Sequence, residues 1–506
     1  MCRSKIAFRA WAVTLSLLFT VSVAGEVYGQ MSGGGSYGGS SGGMSGGGMS
    51  SGGMSGGMGG SSGGMGGGSN SNNSNGGSGS GGGGIMIQAD GVLQRSLMDT
   101  GAVNRARMEA TFKGIASDMR APSPCRKVSL TRLEKKIAQA NGVVSDDMAN
   151  LAGLLKIENV FVYPETGDVV IAGPAEGWVP VADGTNVGFK TGRPTLQLAD
   201  LVVALRAYAP SSKPTPMVGC SIDPTESGLK NMQTYLRTAR APNIADDLQL
   251  VGYAKGIRES LGLQNVSFWG VSPKTHFAAT MVKADFRMKL IGIGLEQPPV
   301  RMTTYVDKAN PLSMARNSLA RWFFQPDYDC LVMTEDMLGM KILGDGVKLV
   351  GEDELVSHDG KRQAATAGSG NRATRQYAKS FTDKYSAIAK QVPVYASLRN
   401  LIDMTIVAAY LQKEDIYKKV DWSMDFFGNE EKYPVETGTP VKFAETTVNI
   451  MRHSRGSVAS YPTGGGVHIC PLDALDVAHM KYDKDGEIAT RRSGAASGSN
   501  DSWWWD

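Results

Sequence analysis

VSFWGVSPKTHFAATMVKADFRMKLIG, residues 266–292, admits two readings, and only one holds along its whole length. Val266 to Val271 is β-branched and aromatic, as a strand requires. Ser272-Pro273 opens a helix, Phe277, Met281, Ala284, Met288 and Ile291 recur at spacings of three and four, and Gly292 closes it. Thr280 to Leu290 also alternates as a strand would. Stop and start signals at both ends, with Ala, Met, Lys and Arg inside, favour the helix. A strand leading into a long helix, with no regular βαβ alternation on either side, makes the fold class α+β rather than doubly wound α/β.

Outward from this stretch the same signals recur. Upstream, Ser129 caps a helix over Leu130 to Ala140, and Ser145 caps a short second one. Ile157 to Tyr163 and Asp168 to Ala172 form a hairpin across Pro164-Glu165-Thr166-Gly167. Leu198, Leu201, Val202, Leu205 and Tyr208 share a helical face that ends before Pro210. Ser211 to Pro216 reads as a linker. Asp223-Pro224-Thr225-Glu226 reads as a capping box with Pro in the first turn, opening a helix over Leu229, Met232 and Leu236. The next helix is expected to bury Ile244, Leu248, Val251 and Ala254. Downstream, a helix is expected from Asn310-Pro311 into Arg321-Trp322-Phe323-Phe324, then a hairpin of Leu338–Leu343 and Val347–Val350 across Gly344-Asp345-Gly346. Thr374–Lys390 and Val394–Gln412 are long helices. The second is apolar around most of its circumference and belongs at the centre of the larger unit. Val441–Met451 and Ser457–Ile469 close the fold as strands.

The ends of the chain differ in kind. Arg3, Lys5 and Arg9 precede an apolar run, Ala10 to Val23, with small residues at Ser22 and Ala24. This is the pattern of a secretory signal, and the run is shorter than the about twenty residues a membrane span needs. No Cys follows it as a lipid attachment point. Residues 1–24 are therefore expected to be a signal peptide and 25–84 a disordered Gly/Ser/Met-rich tether, with no transmembrane span once the signal is removed. Met44, Met49, Met54, Met58 and Met65 punctuate that tether without a nearby His or Cys to hold copper. It lacks the apolar surface to offset ordering entropy. Two packed units, 85–210 and 217–485, and a flexible tail, 486–506, complete the expected division. Trp503-Trp504-Trp505 follow a Gly/Ser/Ala-rich run from Ser493, whose composition opposes helix or strand. Presented indoles would then dock on an envelope partner.

The formal net charge is +4, most of it in the leader, which argues against a nucleic-acid partner. Export permits disulfides among Cys125, Cys220, Cys330 and Cys470, but four cysteines leave three pairings open, and their spacing is not that of a zinc site.

No catalytic motif emerges. The Gly34–Gly38 match to a nucleophile elbow has no flanking strand and helix. Gly184–Thr191 misses the phosphate-loop spacing, and Gly292-Ile293-Gly294 lacks a third glycine. Asp473, Asp476 and His479 share a third of a helix turn but read as a solvated face, and Asp483–Glu487 fails as a calcium loop because its first and twelfth positions are Lys481 and Arg492. His276, Asp285 and Arg287 are the best acid/base set, yet His276 and Asp285 point to opposite sides of one helix, and Asp285 is better placed to pair with Lys289 at i,i+4. No cofactor or metal is implied.

Gly219-Cys220-Ser221-Ile222-Asp223-Pro224-Thr225, Ala284-Asp285-Phe286-Arg287-Met288-Lys289-Leu290-Ile291-Gly292, Arg321-Trp322-Phe323-Phe324 and Leu398-Arg399-Asn400 stand in an order that resembles a planctomycete family of exported proteins of unknown function. The resemblance spans roughly Pro122 to Pro471. It implies place and kinship, with no reaction or catalytic residue to carry over. The expected role is a non-catalytic exported cell-envelope protein, periplasmic or extracellular, that binds an envelope macromolecule. The alternative is an exported hydrolase whose acid/base residues converge only in the fold.

Overall fold

The computed structural model describes residues 83–97, 109–181, 183–243, 245–310, 318–328, 331–344, 346–363, 371–452, 458–460, 463–495 and 502–506. The leader, nearly all of the Gly/Ser/Met-rich arm, Ile244 and Cys330 lie outside them.

The described residues begin with the hairpin β1 (Gly83–Ile87) and β2 (Val92–Leu97). β3 (Ser123–Ser129) runs into α1 (Leu130–Gln139), where the Ser129 side chain accepts from the Arg132 N–H. β4 (Asn159–Tyr163) and β5 (Asp168–Ala175) pair across the expected turn, ahead of the small hairpin β6 (Trp178–Pro180) and β7 (Asn186–Gly188) and of α2 (Leu198–Ala207). Then follow β8 (Val218–Asp223), α3 (Glu226–Thr238), α4 (Asp247–Leu261), β9 (Gln264–Trp269) and α5 (His276–Gly292). β10 (Ser318–Asp327), β11 (Leu331–Met333), β12 (Gly339–Ile342), β13 (Gly346–Val356) and β14 (Arg362–Gln363) precede the long helices α6 (Arg372–Gln391) and α7 (Pro393–Lys413). The chain closes with β15 (Phe443–Ala444), β16 (Ile450–Arg452), β17 (Val458–Ser460), β18 (Thr463–Ile469), β19 (Met480–Tyr482), α8 (Glu487–Ala495) and β20 (Trp504–Trp505).

Two mixed sheets organise most of these elements, with β6-β7 and β16-β17 as separate pairs, so the class is α+β. One is ordered β1-β2-β15-β9-β8-β18-β10-β13-β14, the other β19-β11-β12-β4-β5-β3-β20. The second sheet takes β3, β4 and β5 from before the Ser211–Pro216 linker and its other strands from after it, so the strands do not divide there. Against the first sheet lie α5, α6 and α7. α7 is buried around its circumference, through Leu398, Leu401, Ile402, Ile406, Val407 and Ala409. Among the described residues no helix is long and apolar enough to cross a membrane.

Four local expectations are corrected by tertiary context. Arg321-Trp322-Phe323-Phe324 lies in strand β10, not a helix. Its alternation sends Trp322 and Phe324 into the main core, where Trp322 meets Tyr305 and Tyr377 at 5.1 Å each and Phe324 meets Phe381 at 5.6 Å. The strands flanking Gly344-Asp345-Gly346 do not form a hairpin: β12 pairs with β11 and β4, while β13 pairs with β10 and β14. The helix α4 buries Leu250, Ile257 and Leu261 and turns Leu248 and Val251 outward. The Gly/Ser/Ala composition of the last segment does not prevent order, because Glu487–Ala495 is helical and Trp504–Trp505 is a strand.

The glycines of β18 permit close strand packing. Gly465 has φ +139°, and a Cβ there would stand 1.9 Å from the Trp322 carbonyl oxygen. Gly465→Ala therefore combines backbone strain with a clash against rigid main chain. It should lower the unfolding free energy by about 2 kcal/mol or more, read from urea denaturation; an unchanged midpoint would contradict this packing.

Candidate functional site

Three of the four motifs that carry the family resemblance meet at one end of the first sheet. Asp223 ends β8, and its carboxylate accepts from Arg321 of β10 (2.7 Å), from Arg362 of β14 (2.7 Å) and from the Ser221 hydroxyl. Arg321 also binds Glu354 of β13, which Arg362 approaches to 3.7 Å. Two guanidiniums and two carboxylates thus neutralise one another in a largely desolvated cluster. Burial opposes ionisation of Asp223, but the Arg321 and Arg362 charges outweigh it and hold the carboxyl below its usual range. The Asp223 read as a helix cap is therefore drawn into this network. Thr225 takes the cap instead, its Oγ1 accepting from the Gly228 N–H at 3.0 Å.

A second ion pair lies on α5. Asp285 and Lys289, both fully buried, meet at 2.8 Å, at the i,i+4 spacing expected from the sequence, and Lys289 Nζ also donates to the Ile222 carbonyl (3.4 Å). Burial pushes the Asp285 carboxyl up against the opposing pull of Lys289. The nearby Cys220 thiol is pushed well up by burial and by the Asp285 charge, which makes it a core group and not a nucleophile. His468 stacks on Phe323 (4.4 Å) and meets Trp269 edge-on (5.9 Å), while Arg321 lies over Phe323 at 4.8 Å. Burial and the Arg321 charge lower His468 to about 4, so the ring is neutral at physiological pH.

The sequence-derived acid/base set does not come together. Asp285 pairs with Lys289, and Arg287 pairs with Glu296 at 2.6 Å. His276 finds a partner that sequence reasoning missed: its Nδ1 lies 2.9 Å from the Asp200 carboxylate at the start of α2. Asp200 lies in the first turn of α2, but nothing local links it to a residue seventy-six positions away. Asp473 and His479 line a cavity of about 150 Å³ with Gln325, Asp327, Tyr328 and Cys470, and His479 Nδ1 bonds the Asp473 carbonyl (2.8 Å). Among the described residues no three His, Cys, Asp or Glu side chains are placed to hold a metal ion. Cys125 and Cys220 are free thiols.

A family described as a protein of unknown function (DUF1598) matches residues 220–305. That segment supplies Asp223, Asp285, Lys289 and His276, whereas Arg321, Glu354 and Arg362 reach the site from beyond it. No curated protein matches the chain. No solved structure matches it either.

Two measurements test these assignments. Lys289→Met strands a buried carboxylate and should cost about 3–5 kcal/mol, whereas Asp285→Leu/Lys289→Met together should cost far less or stabilise. Equal losses in both variants would show that the pair is not buried as a unit. The Asp200 carboxylate raises the His276 imidazole above its ordinary value of 6.5. The pair therefore contributes stability fully below that value and loses it as pH rises through the raised value. The Tm advantage of the parent over His276→Gln should shrink between pH values of about 5.5 and 9, and a constant gap would rule out the linkage.

Proposed function

We propose that this chain is a non-catalytic exported cell-envelope protein, akin to the planctomycete family of exported proteins, whose α+β body binds an envelope macromolecule while its Gly/Ser/Met-rich arm supplies reach. The observation that supports binding is the outward face of α4. Leu248 and Val251, one helical turn apart, are 85% and 66% exposed on a helix that already buries a separate apolar face. Large aliphatic side chains turned to water beside a satisfied core are the composition of a contact surface rather than of a solvated helix. The charged groups of the site are paired with one another, which suits a rigid frame under that surface.

The hydrolase reading rests on His276 and Asp200. Their contact is of His–carboxylate type, and the imidazole is half-exposed. The Asp200 charge raises the ring above its ordinary value, which favours an acid role, and its Nε2 lies 3.5 Å from the Thr280 hydroxyl. This geometry provides orientation without an activated nucleophile.

Expression of the full chain in its native envelope separates the readings. Leu248→Glu/Val251→Glu should keep the parental Tm while the envelope-retained fraction falls several-fold, because burying two carboxylates in an apolar interface is unfavourable. Retention at the parental level would refute the binding reading. Hydrolysis of ester, peptide or glycoside probes that disappears in His276→Gln would establish the enzyme instead.

A further inference from the structure

Ser502–Asp506 lies along the edge of the second sheet. Trp504 and Trp505 pair antiparallel with Val128 and Lys127 of β3, and the Ser129 N–H donates to the Trp503 carbonyl at 2.9 Å. Trp503 is buried in the main core. Trp505 Nε1 donates to the Ala495 carbonyl (3.1 Å). Main-chain pairing on a sheet edge, with side chains in flanking pockets, is how a peptide is recognised by strand addition.

Arg126 and Arg132 on the receiving side also bond groups outside this segment. Arg126, fully buried, is held by the carbonyls of Met119 (3.1 Å) and Ala152 (2.8 Å) through Nη1, and of Asp118 and Ala121 (3.2 Å each) through Nη2. Its Nε and the shared Nη2 also meet the two Asp506 carboxylate oxygens at 2.8 and 2.9 Å, and its guanidinium lies 4.9 Å from the Trp504 ring centre. Arg132, fixed by Asp168 through Nε at 2.9 Å, covers the Trp505 ring at 5.5 Å and donates to the Ser502 carbonyl (3.3 Å). Both cations are oriented by the body of the protein, so little order remains to be imposed when a peptide arrives. The residues linking this strand to α8, Ala496–Asp501, include no side chain suited to a core.

We propose that the β3 edge with Arg126 and Arg132 is a peptide-binding groove for an extended Ser-Trp-Trp-Trp-Asp segment, and that the occupant in trans is Ser502–Asp506 of a second copy of this chain. In a dilute solution the chain's own segment wins, because a short connection gives it an effective concentration on the order of millimolar. Where copies are crowded, exchange joins the segment of one to the groove of the next. This linkage does not depend on the envelope reading.

A chain lacking residues 502–506 tests it, with the synthetic peptide Ser-Trp-Trp-Trp-Asp as probe in fluorescence anisotropy. The shortened chain should bind the peptide at least tenfold more tightly than the full chain does. Binding should be lost on adding Arg126→Met and weakened at least tenfold for a peptide ending in Lys. Mixing the shortened chain with a full chain carrying Arg126→Met should give a one-to-one complex in light scattering that neither forms alone. If the shortened chain does not fold, full-length Asp506→Lys, whose own segment is repelled by Arg126, takes its place in the peptide titration. A folded chain with a vacant groove that binds neither peptide nor the second chain would overturn the proposal, as would equal binding of the Asp and Lys peptides.

Discussion

Charge removed from water must be matched nearby, and the first sheet is arranged around that constraint at Arg321. One guanidinium holds Asp223 at the end of β8 and Glu354 on β13, and Arg362 on β14 closes the set. Leaving any of these groups unpaired at such depth would cost more than the pairing contributes. The strands that carry them are therefore bound to one register. The constraint also explains a local substitution of roles: Asp223 serves the network, and Thr225 caps the helix that follows.

The same strand divides the molecule into a packing face and a polar face. Trp322 and Phe324 meet aromatic side chains of α6 and the Tyr305 turn, while Arg321 and Phe323 stand with His468 on the other side. Gly292 lets α5 approach that aromatic layer, since a Cβ there would lie 2.9 Å from the Tyr377 ring. Many of the largest fully buried side chains lie in this layer and in α7. The outward turn of α4 and the β3 edge that pairs with Trp504 and Trp505 lie away from that layer.

Local sequence signals were read correctly where the answer was itself local. Long helices α6 and α7, the α5 helix with its i,i+4 ion pair, and the β4–β5 turn follow from periodicity, caps and turn residues within a few positions. The motifs marking the site were also visible, but not the reason they belong together. Asp223, Arg321 and Glu354 are ordinary charges until strand pairing places them within hydrogen-bond distance, and His276 has no sequence neighbour that announces Asp200.

Periodicity, caps and turn residues are enough for the α+β class, for the helices of the core and for the apolar residues that must be covered somewhere. Where they are covered is settled by packing between distant segments. Leu248 and Val251 follow a helical period as regular as that of buried residues, yet α4 has a better-packed face and leaves them outside. Trp503, Trp504 and Trp505 follow a run with little intrinsic structure, yet Trp504 and Trp505 pair with the edge of β3 beside Arg126 and Arg132. Periodicity reports which side chains gain from leaving water. Which surface receives them depends on partners hundreds of positions away, and no local pattern encodes that choice.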